Sequence, residues 1–227
     1  MEDGARVQWD HYWGEAGTVG RLYGWIASFY RRFVIAPGLR KNLSKHLSDS
    51  GCVLHAGAGA GEIDLALPNQ WGLVSIDFSC RAVRQNRLRG LSAGRSSRVV
   101  QGDIFALPFA DGQFEVSFNL GVMEHFTDSQ VIDALREMRR VTSARGCLII
   151  YWPPAWGPTV LVLHTVSRIL RLVGHKSTQL HPPEINLFRS RSRCERCSPK
   201  PVCAPSDSTT VRKTCSPMSS SRLNPCE

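Results

Sequence analysis

The sequence predicts an α/β fold built on a doubly wound, mostly parallel sheet, and three observations carry that expectation. Five short apolar runs, CVLHA (52–56), GLVSI (72–76), SRVVQ (97–101), FEVSFNL (114–120) and CLIIYW (147–152), have the length and β-branched content of buried strands. Segments with helical spacing fall between most of them, roughly 61–67, 79–90 and 128–142, and repeated strand, helix, strand order calls for a parallel sheet. The composition supports one ordinary core: of 227 residues 42% are apolar and 19 are Gly. Collagen-like and wholly disordered chains are thereby excluded, and no heptad run points to a coiled coil.

Taken in order, the first element lies between Arg21 and Leu47, where Leu22, Trp25, Ile26, Phe29, Tyr30 and Phe33 recur at steps of three and four. Pro37 is expected to divide this stretch into two helices. Residues 1–48 thus read as N-terminal helices forming a cap, and residues 49–155 as the core domain. Within the core, VIDALREMRRV places apolar residues at 131, 132, 135, 138 and 141, one face of a helix. Gly146 restarts the chain after it, and Pro153, Pro154 and Pro158 break the chain after the fifth strand. Residues 156–188 read as a helical cap or substrate segment. Its apolar part, Thr159–Val173, carries Arg168 and Arg171 and falls short of the ~20 residues a membrane span needs, so surface contact with a membrane is the most it suggests.

The net charge of +9 is mostly a property of the end of the chain. Residues 189–227 carry 8 Lys plus Arg against 3 Asp plus Glu, with nine Ser and five Pro, and have almost nothing to fill a core. A disordered tail is expected there, and no polyanionic partner such as nucleic acid is required by the rest. The pair Cys194 and Cys197 invites a zinc reading, but no second paired spacing follows. Cys52, Cys80 and Cys147 sit singly, so no secreted disulfide framework is indicated. The opening MEDGARVQWDHYW has early acids and no apolar stretch of signal-peptide type, which makes a cytoplasmic location the expectation.

The most informative stretch is VLHAGAGAGE, Val53 to Glu62: a strand running into Gly57, Gly59 and Gly61, with a helix expected to open at Glu62 and Ile63. Glycine there permits positive φ and lets a ligand lie against the backbone. A dinucleotide fingerprint would need a third glycine at position 62, where this chain has Glu62, and a phosphate-cradling loop would need a Lys that is absent. The run instead resembles the first motif of class I S-adenosylmethionine-dependent methyltransferases, an apolar pair followed by [DEH]-x-G-x-G-x-G. Asp77 at the end of LVSID, Asp103 after the third strand, the LPFADGQFE stretch at 107–115 and NLGVMEHF after the fourth strand follow in the family's order.

The resemblance covers about residues 50–155 and implies a Rossmann-like sheet of strand order 3-2-1-4-5, with S-adenosyl-L-methionine as cofactor. It implies that Asp77 accepts from the ribose hydroxyls, Asp103 from the adenine amino group, and that Phe78 and Ile104 contact the adenine ring. Gly57, Gly59 and Gly61 would underlie the ligand, Asn119 and Leu120 would floor the pocket near the sulfonium, and His55 would stand near the cofactor's amino group. At that position an acid is commoner. A turn role for Asp103, and a strand-end role for His55, are the plainer alternatives, while helix capping falls more naturally to Ser79 than to Asp77. If the acceptor is a hydroxyl or phenol, His125 is the candidate general base, with a structural loop histidine as its alternative. A Glu-x-x-Glu-His metal site of some quinone-pathway relatives is matched only at Glu124 and His125, since Gly121 replaces the first Glu, so no metal is expected.

The family sheet normally ends with a sixth strand and an antiparallel seventh beside the fifth; neither is visible before the tail. The expectation is therefore a domain truncated or frame-altered after about residue 188, with strand five left as an open edge. The leading function is methyl transfer to a small-molecule acceptor, intact or impaired by the C-terminal truncation. The alternative is a non-catalytic module of the same fold whose basic tail contacts RNA or a protein partner.

Overall fold

The computed structural model describes Trp9 and residues 28–47, 49–95, 98–152 and 210–211. Its elements are a π-helical turn Arg31–Ile35 running into α1 (Ala36–Leu43), β1 (Cys52–Ala56), β2 (Gly72–Asp77), α2 (Cys80–Ser92), β3 (Arg98–Gln101), β4 (Phe114–Leu120), α3 (Asp128–Val141), β5 (Thr142–Tyr151) and β6 (Thr210–Val211), with short 3-10 turns at Asp64–Ala66 and Met123–His125. The sheet has the order β3-β2-β1-β4-β5-β6. Neighbours from β3 through β5 are parallel, as the alternation of strand and helix patterns requires, and β6 is antiparallel to β5.

Because side chains alternate along each strand, the two faces of the sheet build two separate cores. One face packs Leu54, Ile76, Phe114 and Ile150 against Val131, Ala134 and Met138 of α3. The other packs Val53, Val116, Phe118 and Ile149 against Leu39 and Leu43 of α1 and against Trp71. Leu39 and Leu43 have no exposed surface; burial of each contributes about 1.5–3 kcal/mol. The helices start where side chains replace missing backbone partners. Ser79 caps α2 by accepting from the Ala82 amide, and Thr127 with Gln130 forms a reciprocal capping box at α3.

Four sequence expectations change. The helix read at 61–67 is only the 3-10 turn Asp64–Ala66. Asp64, which would have faced solvent, turns inward and is buried, and Pro68 closes the segment before a full α-turn accumulates. Pro37 does not divide the first helix, because it sits within the opening turn of α1, where a π-turn hands over to α geometry and the missing donor costs least. Strand five begins at Thr142 rather than 147, directly after α3, and carries an irregular insertion: Phe114 faces Thr142, yet Val116 faces Cys147. Arg139 holds this bulge through the carbonyls of Thr142, Ser143 and Ala144, and Gly146 lies where a Cβ would overlap the Glu115 carbonyl. Finally, the sheet does not stop at β5. Ile150 and Tyr151 pair with Val211 and Thr210, so two tail residues form an antiparallel strand where the family's seventh strand was expected.

Cys52 is disulfide-bonded, contrary to the expectation that it stands singly, whereas Cys80 and Cys147 are free. The expected cap segment 156–188, the Cys194 and Cys197 pair and the remainder of the tail lie outside the described residues. Among the described residues no helix is long and apolar enough to cross a membrane.

Candidate functional site

The carboxyl ends of β1, β2 and β4 open onto one cavity. It is lined by His55, the loop Gly57–Ile63, Asp77, Phe78, Gly102, Ile104 and Leu120–Val122, with Trp9, Arg31, His125 and Phe126 around them. The loop takes its shape from glycines at positive φ: +70° at Gly57, +53° at Gly59 and +71° at Gly61. At Gly57 space is a second constraint, since a Cβ would come within 2.6 Å of Val122 Cγ2.

Asp77 ties the loop to its neighbours. Its Oδ2 accepts from the Gly59 amide at 2.8 Å and its Oδ1 from the Ser79 amide at 3.0 Å. A carboxylate offers only acceptors, the chemistry suited to hydroxyl donors. The Gly57 and Ala58 amides both donate to the Ile76 carbonyl at 2.9 Å, fastening the loop to β2.

Of the expected site residues, His55, Gly57, Gly59, Gly61, Asp77, Phe78, Ile104, Leu120 and His125 all line this cavity. Asp103 and Asn119 are not among its lining residues. Asp103 accepts from the Phe105 amide at 3.0 Å, the turn role weighed for it, while its neighbours Gly102 and Ile104 form the wall. Buried Asn119 donates from Nδ2 to the Ala56 carbonyl at 2.6 Å and so fixes the end of β1 from below. His125 lies in the turn after β4 with Trp9 edge-on at 4.9 Å, and Trp9 also meets Phe78 at 6.4 Å. Gly121 stands at φ +71°, a conformation suited to glycine and strained for the glutamate of the metal-site pattern.

Sequence reasoning missed a buried polar cluster behind the loop. His55 Nδ1 lies 2.6 Å from Asp64 Oδ1, while Ser75 donates to Asp64 Oδ2 at 2.7 Å and Asn86 at 3.3 Å. Burial opposes ionisation of Asp64, but the His55 ring and the donors from His55, Ser75 and Asn86 outweigh it and hold the carboxyl below its ordinary range. His55 stacks on Phe118 at 4.2 Å, which fixes the ring plane. The available signal was Ser75 itself, a polar residue inside an otherwise apolar strand. Sequence also left Arg31 unassigned; it bonds Glu62 at 2.9 Å, with Arg89 at 3.5 Å on the same carboxylate.

The LPFADG stretch owes its order to a scaffold. Arg140 donates to the carbonyls of Leu107 and Phe109 and to Asp111 and Glu137, and Glu137 accepts from the Leu107 amide. Bonding to Arg140 lowers the Glu137 pKa, and bonding to Glu137 and Asp111 raises that of Arg140.

Residues 53–146 match a family described as a methyltransferase domain. Within this chain 108 residues are 35% identical to a demethylmenaquinone methyltransferase of Beutenbergia cavernae, covering 46% of this chain and 42% of that protein. A demethylmenaquinone methyltransferase of Mycolicibacterium vanbaalenii is 34% identical over 126 residues, covering 54% and 47%. The chain spans about half the length of the curated relatives it matches. In fold it resembles a structure described as an S-adenosylmethionine-dependent methyltransferase from Methanosarcina mazei, with TM-score 0.54 and 15% identity over 68% of this chain and 80% of the other.

The methyltransferases that the chain resembles imply S-adenosylmethionine as cofactor, and the residues present fit it. The cavity combines a glycine loop that a Cβ would obstruct, an acceptor-only carboxylate at Asp77, and apolar walls at Phe78 and Ile104. A buried ring nitrogen without a partner among the described residues, His55 Nε2, belongs to another lining residue.

Proposed function

We propose that this chain is a cytoplasmic S-adenosylmethionine-dependent methyltransferase acting on a small-molecule acceptor. The observation that carries this reading is the bond from the Gly59 amide to Asp77: it joins the glycine loop to the acid at the tip of the neighbouring strand on one cavity wall. When bound, the cofactor supplies an electrophilic methyl group on a sulfonium. In this reading Asp77 accepts the ribose hydroxyls, Phe78 and Ile104 enclose the adenine, and Asp103 accepts its amino group across the Gly102–Ile104 turn. The loop backbone at Gly57 and Gly59 supports the remainder, with Leu120 as the floor and Asn119 holding that floor's neighbour strand in place.

Methyl transfer is an in-line displacement, so the protein's first tasks are orienting the acceptor and excluding water. The aromatic rim of Trp9, Phe78, Phe126 and His125 suits an apolar ring. In this reading His125, which lines the cavity, takes the proton of a ring hydroxyl as it becomes the nucleophile or activates the ring. The relatives named for demethylmenaquinone support the same acceptor class, a hydroxylated aromatic or quinol.

The test is calorimetric titration with S-adenosylmethionine, followed by incubation of the full chain with label-bearing methyl donor and a panel of phenols and quinols that includes demethylmenaquinol. Saturable binding and transfer of label to a hydroxylated ring are expected. A folded sample that leaves the donor free in solution refutes the reading. The non-catalytic alternative predicts binding without transfer to any acceptor.

A further inference from the structure

The buried cluster at His55 has a chemistry of its own. His55 is 2% exposed and Asp64 1%. The enclosed carboxyl is bonded by His55, Ser75 and Asn86, and Asp64 Oδ1 accepts from the imidazole at 2.6 Å. An acceptor-only oxygen at that distance requires the hydrogen on Nδ1. In the neutral ring Nε2 is then a bare lone pair. It is buried, it has no partner among the described residues, and its ring lines the cavity between the glycine loop and the end of β4. An unsatisfied buried acceptor of this kind carries a desolvation penalty, which a ligand donor removes. A ligand carboxylate there would meet a lone pair backed by a negative charge. A ligand ammonium would meet an acceptor lone pair with that negative charge behind it.

We infer that Asp64 is a positioning residue that fixes the tautomer of His55, so that Nε2 accepts from the α-ammonium of the bound cofactor's amino-acid arm. The carboxylate commonly found at position 55 is here supplied from behind the ring by Asp64, with His55 as the relay. Ser75 and Asn86 hold Asp64 Oδ2 and leave Oδ1 to the ring. Stacking on Phe118 prevents the ring from turning away. The inference rests on the cofactor reading above, and its test separates the two.

The full chain is titrated with S-adenosylmethionine and with 5′-methylthioadenosine, which keeps the adenosine and lacks the amino-acid arm. Wild-type protein that binds neither compound overturns the cofactor reading, and this inference with it. Where the wild type binds both, Asp64→Asn is expected to weaken S-adenosylmethionine by about tenfold or more and to leave methylthioadenosine unchanged. The double variant Asp64→Asn with His55→Glu, which returns the carboxylate to position 55, is expected to restore the lost affinity. Equal weakening of both ligands, or no change in either, overturns the inference. If Asp64→Asn alone does not fold, the comparison passes to two double variants, His55→Glu and His55→Gln, each combined with Asp64→Asn. Selective gain of S-adenosylmethionine binding with Glu supports the inference, and equal binding by the two overturns it.

Discussion

Gly61→Ala probes how closely the glycine loop is built onto the buried carboxylate. Two glycines share nearly the same backbone strain: Gly61 at φ +71° and Gly94 at φ +61°. They differ in surroundings. A Cβ at Gly94 meets nothing within 4 Å, whereas one at Gly61 would overlap the Asn86 amide, which donates to Asp64. Left-handed geometry costs an L-residue about 1–2 kcal/mol, partly offset by about 0.4–1 kcal/mol from a less flexible unfolded chain. Both terms apply to each site and cancel in the comparison. What remains at Gly61 is displacement of Asn86 and loss of its bond to a charged acceptor, about 1.5–3 kcal/mol. With a urea slope of about 2 kcal/mol per molar, the Gly61→Ala midpoint should fall roughly 1 M below that of Gly94→Ala. Equilibrium urea unfolding of the two variants side by side measures this. Equal midpoints would refute the reasoning, because they would mean that Asn86 yields without cost and the loop is not braced by the cluster.

Other perturbations have separable signatures. Asp77→Asn leaves a side chain with one acceptor facing two backbone amides, and it should weaken S-adenosylmethionine by about tenfold or more in titration. His125→Gln should lower the methylation rate by about a hundredfold or more at unchanged cofactor affinity if the ring removes a proton, a split that rate and binding measurements read directly. Arg140→Ala strips donors from the Leu107 and Phe109 carbonyls and a partner from Glu137; thermal unfolding should show a loss of about 1–3 kcal/mol with little change in ligand affinity. Asp64 has a folded pKa below its unfolded value, so its stabilising contribution is present above about pH 3.9 and is lost as pH falls through the depressed native value. Acid unfolding followed by circular dichroism should therefore be less steep below pH 4 in Asp64→Asn than in the wild type.

The strands were legible because each is a short apolar run bounded by glycine or proline, and β4 falls on the residues expected, Phe114–Leu120. The order of motifs along the chain also located most of the cavity wall, since loops at strand ends are where a parallel sheet gathers its site. Spacing alone misled at 61–67. There Ile63 and Leu67 suit a helix, but Asp64 was drawn inward by His55, an attraction visible only once β1 and β2 lie side by side. Pro37 misled for a related reason: its position in the turn, rather than its presence, decides whether a helix breaks. Asp103 and Asn119 were recognised as polar residues near strand ends, yet sequence does not show that Asp103 also bonds the Phe105 amide or that Asn119 bonds the Ala56 carbonyl. Arg139 and Arg140, which look like an ordinary basic helix end, each hold a separate loop by its carbonyls.

The shortness of the turn after the glycine loop bears on how a ligand is held in the crevice. A long helix beginning there would aim its positive pole and a fan of free amides at the ligand, the device by which related sheets grip pyrophosphate. Three residues of 3-10 turn build almost no such pole, and the Glu62 carboxylate at the spot is itself paired with Arg31 and Arg89. The crevice thus holds its ligand by loop backbone and the carboxylate at the tip of β2 rather than by a fan of helix amides around a phosphate.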